Sequence, residues 1–198
     1  MSRGTWRLRA PILGMCAALA IAGCADSAGR SPATAGASAH TPAAQAKVFV
    51  PVSTFPDRTE HGTCWTSSIT VRSTAAYRCY AGNEILDPCF AATRSAHDVT
   101  CYTDPWSPGT RVVLAAALPK PAPLPVTHPW ALELANGKRC VAATGVVNRI
   151  AGVALLYQCV HGGAAGPPVT HAGHTDVRYV APGSRTAVAV AVTVTWQA

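Results

Sequence analysis

The sequence predicts a mainly β domain, a small sandwich or barrel held together by disulfides, with at most one or two short helices. Three observations carry this prediction: short runs of β-branched and aromatic residues, Gly and Pro turn signals between them, and six cysteines after residue 60. The length of 198 residues suits one domain with appendages. Charged residues make up only 13% of the chain, and 38 alanines inflate its 49% apolar fraction. This composition excludes a coiled coil and a long acidic tail.

The first half of the domain contains four β-rich runs. A short helix is predicted to begin at Ser73, because serine is a favourable N-cap. Residues 83–88 are predicted to form a turn, since the residue before Pro88 is disfavoured in helix geometry. Residues 119–129 hold five prolines and predict a stiff, extended crossing over the surface. The predicted strands are residues 47–52, 65–72, 99–102 and 110–118.

The second half has the strongest local signal. Residues 130–134 and 138–141 flank Asn136-Gly137, which predicts a hairpin with a type I′ turn. Residues 155–160 form another predicted strand. Residues 187–196 alternate small and large side chains, which predicts a central strand with another layer over each face. The large positions of that run are Val188, Val190, Val192, Val194 and Trp196.

Six cysteines predict three disulfides, and an exported domain of this size commonly depends on them. Zinc sites prefer cysteine pairs two to four residues apart, whereas the intervening segments here are 14, 9, 11, 38 and 18 residues long. Six cysteines allow about 15 connectivities. Sequential pairing is favoured because each loop is short, and pairing across these units stays open. The predicted pairs are Cys64 with Cys79, Cys89 with Cys101, and Cys140 with Cys159.

The N-terminus predicts export. Residues 1–9 carry three arginines and no acid, and an apolar run over residues 10–22 follows. That run is too short to span a bilayer, which takes about 20 residues. The tetrapeptide that ends at Cys24, Ile-Ala-Gly-Cys, resembles the lipobox of bacterial lipoproteins. The resemblance implies removal of residues 1–23, acylation of Cys24, and a lipid anchor on the outer face of the cell membrane.

A tether is predicted to separate the anchor from the domain. Residues 24–46 lack aromatic and branched aliphatic side chains, so they cannot bury enough apolar area to fold. The β domain is therefore predicted over residues 47–198. Past residue 24 the chain has 13 Lys and Arg against 9 Asp and Glu, a balance of +4. This mild charge does not predict nucleic-acid binding; it suits an anionic envelope polymer or headgroups.

A family resemblance covers roughly residues 60–198. The motifs that carry it are Cys-Trp-Thr-Ser-Ser-Ile from residue 64, Arg-Cys at 78–79, Asn-Glu-Ile-Leu-Asp-Pro-Cys-Phe from residue 83, Pro-Trp at 105–106, and Pro-Trp-Ala-Leu-Glu-Leu from residue 129 with Asn-Gly at 136–137 and Cys140. They are similar to exported actinobacterial lipoproteins and related proteins without an assigned activity. The resemblance implies the compartment and the cysteine framework, and it supplies no catalytic residue.

Candidate chemistry in the sequence is weak. No hydrolase signature occurs, so an exported hydrolase would have to assemble its site from loops; candidate members are Ser67, Ser68, His97 and Asp98. His171, His174 and Asp176 lie within six residues of one another, ten residues after His161, and are weak candidates for metal ligands. The Gly-rich surroundings favour a solvated loop, so no metal or cofactor is predicted.

The tryptophans separate into two groups. Trp65, Trp130 and Trp196 lie in or beside predicted strands and are expected in the core. Trp106 follows Asp104-Pro105 in a loop over residues 104–109 and is a candidate contact residue. Asp87 and Asp104 each precede a proline and are expected to form turns.

The sequence as a whole predicts a cell-surface, non-catalytic binding module for an anionic envelope polymer or another envelope protein. Residues 104–109 and the Gly- and His-rich residues 161–176 are its expected contact surfaces, since they are the least strand-like. The alternatives are a small exported hydrolase and a weak histidine-based metal binder.

Overall fold

The computed structural model describes residues 42–52, 56–92, 95, 97–122 and 125–198, and these residues form strands and turns without a helix. The mainly β class predicted from the sequence is confirmed. The predicted signal peptide, Cys24 and most of the predicted tether lie outside the described residues. Within the described part of the chain, no helix has the length and hydrophobicity required to cross a membrane.

Five strands close into a first barrel. They are β2 (Thr59–Ser67), β3 (Ala76–Ala81), β4 (Glu84–Ala91), β5 (Asp98–Cys101) and β6 (Thr110–Leu114). Each strand is antiparallel to the next, and β6 closes the ring by pairing in parallel with β2. Strands β2 and β3 approach closely at Gly62, where a Cβ would lie 2.0 Å from the carbonyl oxygen of Tyr80. The barrel interior is filled by apolar side chains, among them Leu86, Val99 and Val112.

The remaining strands belong to an eight-stranded sheet that surrounds a second core and to a separate two-stranded sheet. They are β1 (Gln45–Val48), β7 (Ala131–Leu134), β8 (Arg139–Ala142), β9 (Arg149–Ile150), β10 (Val153–Ala154), β11 (Tyr157–Cys159), β12 (Ala164–Ala165), β13 (Val169–His171), β14 (His174–Val180) and β15 (Val188–Gln197). Strand β15 pairs with both β7 and β14, so six strands, β7, β8, β11, β12, β14 and β15, form a second ring. Strand β1 adds to the end of β15 in parallel, and β13 forms a hairpin with β14. Leu132, Tyr157 and Val192 fill this core.

An aromatic cluster joins the two barrels. Phe90 and Tyr102 come from the first barrel, Trp130 precedes the second, and Phe49 follows β1. The Phe49 ring lies 4.8 Å from Tyr102 and 5.0 Å from Trp130, both edge to face. Edge-to-face contacts between aromatic rings contribute stabilisation beyond that from the apolar area the rings bury. The cluster therefore stabilises the contact between the barrels.

The three predicted disulfides are confirmed, with the predicted sequential pairing. Each bond joins two residues that lie directly opposite one another on neighbouring antiparallel strands. Two disulfides cross-link the first barrel and the third cross-links the second. Each predicted cysteine pair therefore also identifies two residues that face one another in the strand register.

The predictions for residues 65–88 are wrong in detail. Strand β2 ends at Ser67, and residues 68–71 form a turn in which the Ser68 hydroxyl accepts the N–H groups of Thr70 and Val71. No helix begins at Ser73, because β3 starts at Ala76 in order to place Cys79 opposite Cys64. Of the predicted turn over residues 83–88 only Asn83 lies in a turn, and β4 runs from Glu84 through Pro88 to Ala91.

Two predictions for the second barrel need correction. The Asn136-Gly137 hairpin is present, but four residues, 135–138, separate its strands, and only Gly137 among them has a positive φ, of 77°. The turn is therefore not type I′. Strand β15 shows the predicted alternation, with Val192 and Val194 buried, but its small face at Ala189 is exposed. A barrel strand faces a core on one side only, and among the described residues no second layer covers the outer face of β15 at Ala189.

Candidate functional site

A stacked aromatic pair lies on the outer face of the first barrel. The ring centroids of Trp65 and Tyr80 are 4.3 Å apart, with 22° between the ring planes. Trp65 is 40% exposed and Tyr80 is 49% exposed. The strand alternation dictates this orientation, because the neighbours of the buried cysteines on β2 and β3 must point outward. The prediction that Trp65 belongs to the core is wrong.

Ile85 extends the pair into a larger apolar surface. It lies opposite Tyr80 in the β3–β4 register and is 40% exposed. On the other side of Tyr80, Thr63 occupies the matching position of β2. We call Trp65, Tyr80 and Ile85 the aromatic platform. Large aromatic and apolar side chains grouped on a surface are typical of binding sites.

Arg78 holds the platform in place. Its guanidinium carbon lies 5.4 Å from the centre of the Trp65 ring, a cation–π contact. One terminal nitrogen donates a hydrogen bond to the carbonyl oxygen of Thr144, in the second barrel. Its Nε lies 4.0 Å from Asp87 Oδ2 and has no hydrogen-bond partner among the described residues. Since only 18% of the Arg78 side chain is exposed, it positions Trp65 instead of reaching into solvent.

Asp87 lies buried beneath this arrangement and organises the turn after β2. Its carboxylate accepts hydrogen bonds from the hydroxyl groups of Ser68 and Thr70 and from the N–H of Ile69. Burial raises the pKa of Asp87, although these hydrogen bonds and the charge of Arg78 act in the opposite direction. The prediction that Asp87 forms a turn is wrong: Asp87 lies within β4, and the backbone amide that it accepts belongs to Ile69, 18 residues away.

The candidate hydrolase residues do not come together. The Ser67 hydroxyl accepts the N–H of Ala122, and the Ser68 hydroxyl is bonded to Asp87. Asp98 is bonded to Arg111 and Ser95, and these bonds lower its pKa. Among the described residues, no serine hydroxyl is hydrogen-bonded to a histidine ring. The described residues therefore show no activated serine.

Trp106, the predicted contact residue, is half-buried between the barrels. Its indole N–H donates to Glu133 Oε1 at 3.1 Å, and the indole N–H of Trp196 donates to the same oxygen at 3.0 Å. Lys47 and Arg139 lie over the two rings. Burial raises the pKa of Glu133, but the indole bonds and these two cations outweigh it, so the pKa is lowered. Trp106 thus ties its loop to the second barrel.

The turn that carries Trp106 forms as predicted. The Asp104 carboxylate accepts the N–H of Trp106 at 2.8 Å and the hydroxyl of Ser107 at 2.9 Å. Trp130 is fully buried, as predicted, whereas Trp196 is half-buried beside Trp106.

The Gly- and His-rich segment is not the predicted loop. It contains β12 and β13 and the start of β14, and His174 Nε2 lies 3.3 Å from Asp176 Oδ2. In the part of the chain that the structure describes, the only three ligand atoms that already lie close enough together to share an ion are cysteine sulfurs. These are Cys79, Cys89 and Cys101, and all three are held in disulfides.

A cleft with polar groups in its wall, the polar cleft, opens at one end of the first barrel. The residues of its wall include 81–84, which lie between Tyr80 and Ile85 of the platform in the chain. Its volume is about 480 Å³, and the β3–β4 turn that follows Tyr80 forms part of its wall. Side chains that can hydrogen-bond line it, including Arg58, Glu60, Asn83, Glu84, Thr103 and Ser107. In ligand sites, apolar and aromatic side chains provide most of the contact surface, and a few polar groups fix the orientation of the ligand. The platform and the polar cleft could share these two roles.

Comparisons of the chain with protein-family models, with curated proteins and with solved structures found no match. The candidate site is therefore identified by its geometry. Sequence reasoning missed the platform, although one signal could have found it: Trp65 and Tyr80 each follow a cysteine of the same predicted disulfide, and a buried disulfide turns both following side chains outward.

Proposed function

We propose that this protein is a lipid-anchored cell-surface protein whose β domain is a non-catalytic binding module for a polymer of the cell envelope. The N-terminal signal and the lipobox tetrapeptide support the location. Three disulfides also suit an oxidising compartment outside the cytoplasm.

The aromatic platform carries the binding proposal. Trp65 and Tyr80 offer a rigid surface, because they stack on one another and Arg78 holds Trp65. Pre-positioned aromatic rings lose little conformational entropy on binding and are frequent energetic centres of interfaces. The platform has no nucleophile paired with a base among the described residues, which favours recognition over catalysis.

A glycan chain fits the surface best. The C–H face of a sugar ring can pack on Tyr80, while neighbouring hydroxyl groups reach the polar cleft that begins at Gly82. The balance of +4 past residue 24 favours a polymer that carries negative charge. The proposed ligand is therefore an anionic glycan polymer of the envelope.

Tyr80→Ala tests this site. The substitution removes the exposed ring of the stack, so we expect the affinity for a protease-treated actinobacterial cell-wall preparation to fall about tenfold. Because Tyr80 is half exposed, the free energy of unfolding should fall by only about 1 kcal/mol. Co-sedimentation measures the first quantity and urea unfolding the second.

Val188→Ala is the matched control, since Val188 is 54% exposed on the second barrel. It should bind as the wild type does. Equal binding by the Tyr80→Ala variant and the wild type would contradict the proposed site. Binding that disappears when the cell wall is treated with protease would instead identify an envelope protein as the partner.

Cys24→Ala tests the anchor. Without the thiol no diacylglyceryl group can be attached, so the precursor should remain uncleaved and lack the acyl mass in mass spectrometry. The wild type should partition into the detergent phase of a Triton X-114 extraction, since two or more acyl chains are needed for stable anchoring. Normal cleavage and membrane retention of the variant would contradict lipidation at Cys24.

A further inference from the structure

The tip of the β13–β14 hairpin brings together the two histidines that the sequence places three residues apart. His171 and His174 lie directly opposite one another in the strand register. Ala172 and Gly173 connect them with φ values of 46° and 86°. Two consecutive positive φ values are typical of a type I′ turn, whose twist matches that of the paired strands. The hairpin therefore fixes the relative positions of the two histidine backbones.

We propose that His171, His174 and Asp176 form a binding site for a divalent transition-metal ion, Zn²⁺ or Cu²⁺. The site is separate from the aromatic platform and does not depend on the function proposed for it. Imidazole nitrogens with one carboxylate oxygen are a ligand set that both ions accept.

The strand geometry places all three side chains on one face. Residues directly opposite in an antiparallel pair have Cβ atoms about 4.5–5.5 Å apart, a spacing from which two imidazoles can reach one ion. Asp176 follows His174 by two residues and so shares its face, and the two side chains are already 3.3 Å apart. His171 is exposed, so its ring can turn toward the other two.

The surroundings leave this face available. Thr170 and Thr175 are bonded to each other through their hydroxyl groups at 3.0 Å, on the opposite face of the hairpin, and hold the register. Arg178 is the next residue on the metal-binding face, but its guanidinium donates to the carbonyl oxygen of Ala187 at 2.7 Å. The Asp176 carboxylate thus lies beside the His174 ring, while the Arg178 guanidinium bonds a backbone carbonyl oxygen instead.

Calorimetric titration of the full-length protein with ZnCl₂ tests the site. Iodoacetamide treatment without reductant first removes free thiols, which would otherwise bind zinc. We expect binding of one equivalent in the wild type. Removal of either imidazole, by His171→Ala or His174→Ala, should weaken it at least about tenfold, and Asp176→Asn should weaken it less.

The matched control is His161→Ala. His161 precedes β12, which pairs with the far end of β14, so this histidine lies away from the hairpin tip. Gly173→Ala keeps every ligand but opposes the positive φ of the turn, and should weaken binding if the hairpin orients the ligands. Binding that survives loss of both His171 and His174, or no binding at about millimolar zinc, would overturn the proposal.

Discussion

Trp130→Ala should lower the free energy of unfolding by about 3–5 kcal/mol, the range for truncating a fully buried tryptophan. Trp130 is 1% exposed and packs in the cluster that joins the two barrels. Its loss leaves a cavity between Phe49, Phe90 and Tyr102. Because a domain's net stability is commonly about 5–15 kcal/mol, this is a large share of the total. Urea unfolding followed by circular dichroism measures it.

Trp65→Ala is the control for this substitution. It removes the same side chain from a half-exposed position, so we expect a loss of about 1 kcal/mol. Similar losses of unfolding free energy in the two variants would contradict the difference in burial between Trp65 and Trp130. They would also contradict the assignment of Trp130 to the core and of Trp65 to the platform.

Removal of the Cys89–Cys101 disulfide should cost about 2–5 kcal/mol. The bond closes a loop with a sequence separation of 12 residues, and both cysteines are buried in the first barrel. The double variant Cys89→Ala, Cys101→Ala avoids leaving an unpaired thiol. The chain-entropy model gives about 3 kcal/mol for a loop of this size, and the lost core volume adds to it. Urea unfolding of the variant beside the wild type measures the loss.

The same disulfides can be tested without mutation. Non-reducing digestion should recover the three sequential pairs, among them Cys140 joined to Cys159. None of the six cysteines should react with iodoacetamide before reduction. Alkylation of any of them in the native protein would contradict the disulfide framework.

The fold was largely predictable, because the strongest sequence signals are local. The cysteine pairs are close in sequence, and each lies across one strand pair. The Asn136-Gly137 hairpin was found for the same reason. The failures arise where closure of a barrel overrides local preference: Ser73 favours a helix start, but β3 begins three residues later and pairs with β2 from Tyr77 onward.

The candidate site was harder to predict, since exposure depends on which face of a strand a residue occupies. Trp65 was expected in the core because tryptophan is large and apolar, whereas its position beside the buried Cys64 turns it outward. Trp106 was expected on an open loop, and it lies instead against Glu133 from the second barrel. No local pattern could reveal that contact, since the two residues are 27 positions apart.

The indole N–H signals of the tryptophans test the central claim most directly. In a ¹H–¹⁵N NMR titration of the protein with solubilised, protease-treated wall polymer, the Trp65 signal should shift as the polymer binds. The signals of Trp130, which is buried, and of Trp106 and Trp196, which are bonded to Glu133, should stay unchanged. Shifts confined to Trp106 and Trp196, or no shift of Trp65 at saturating polymer, would contradict binding through the aromatic platform.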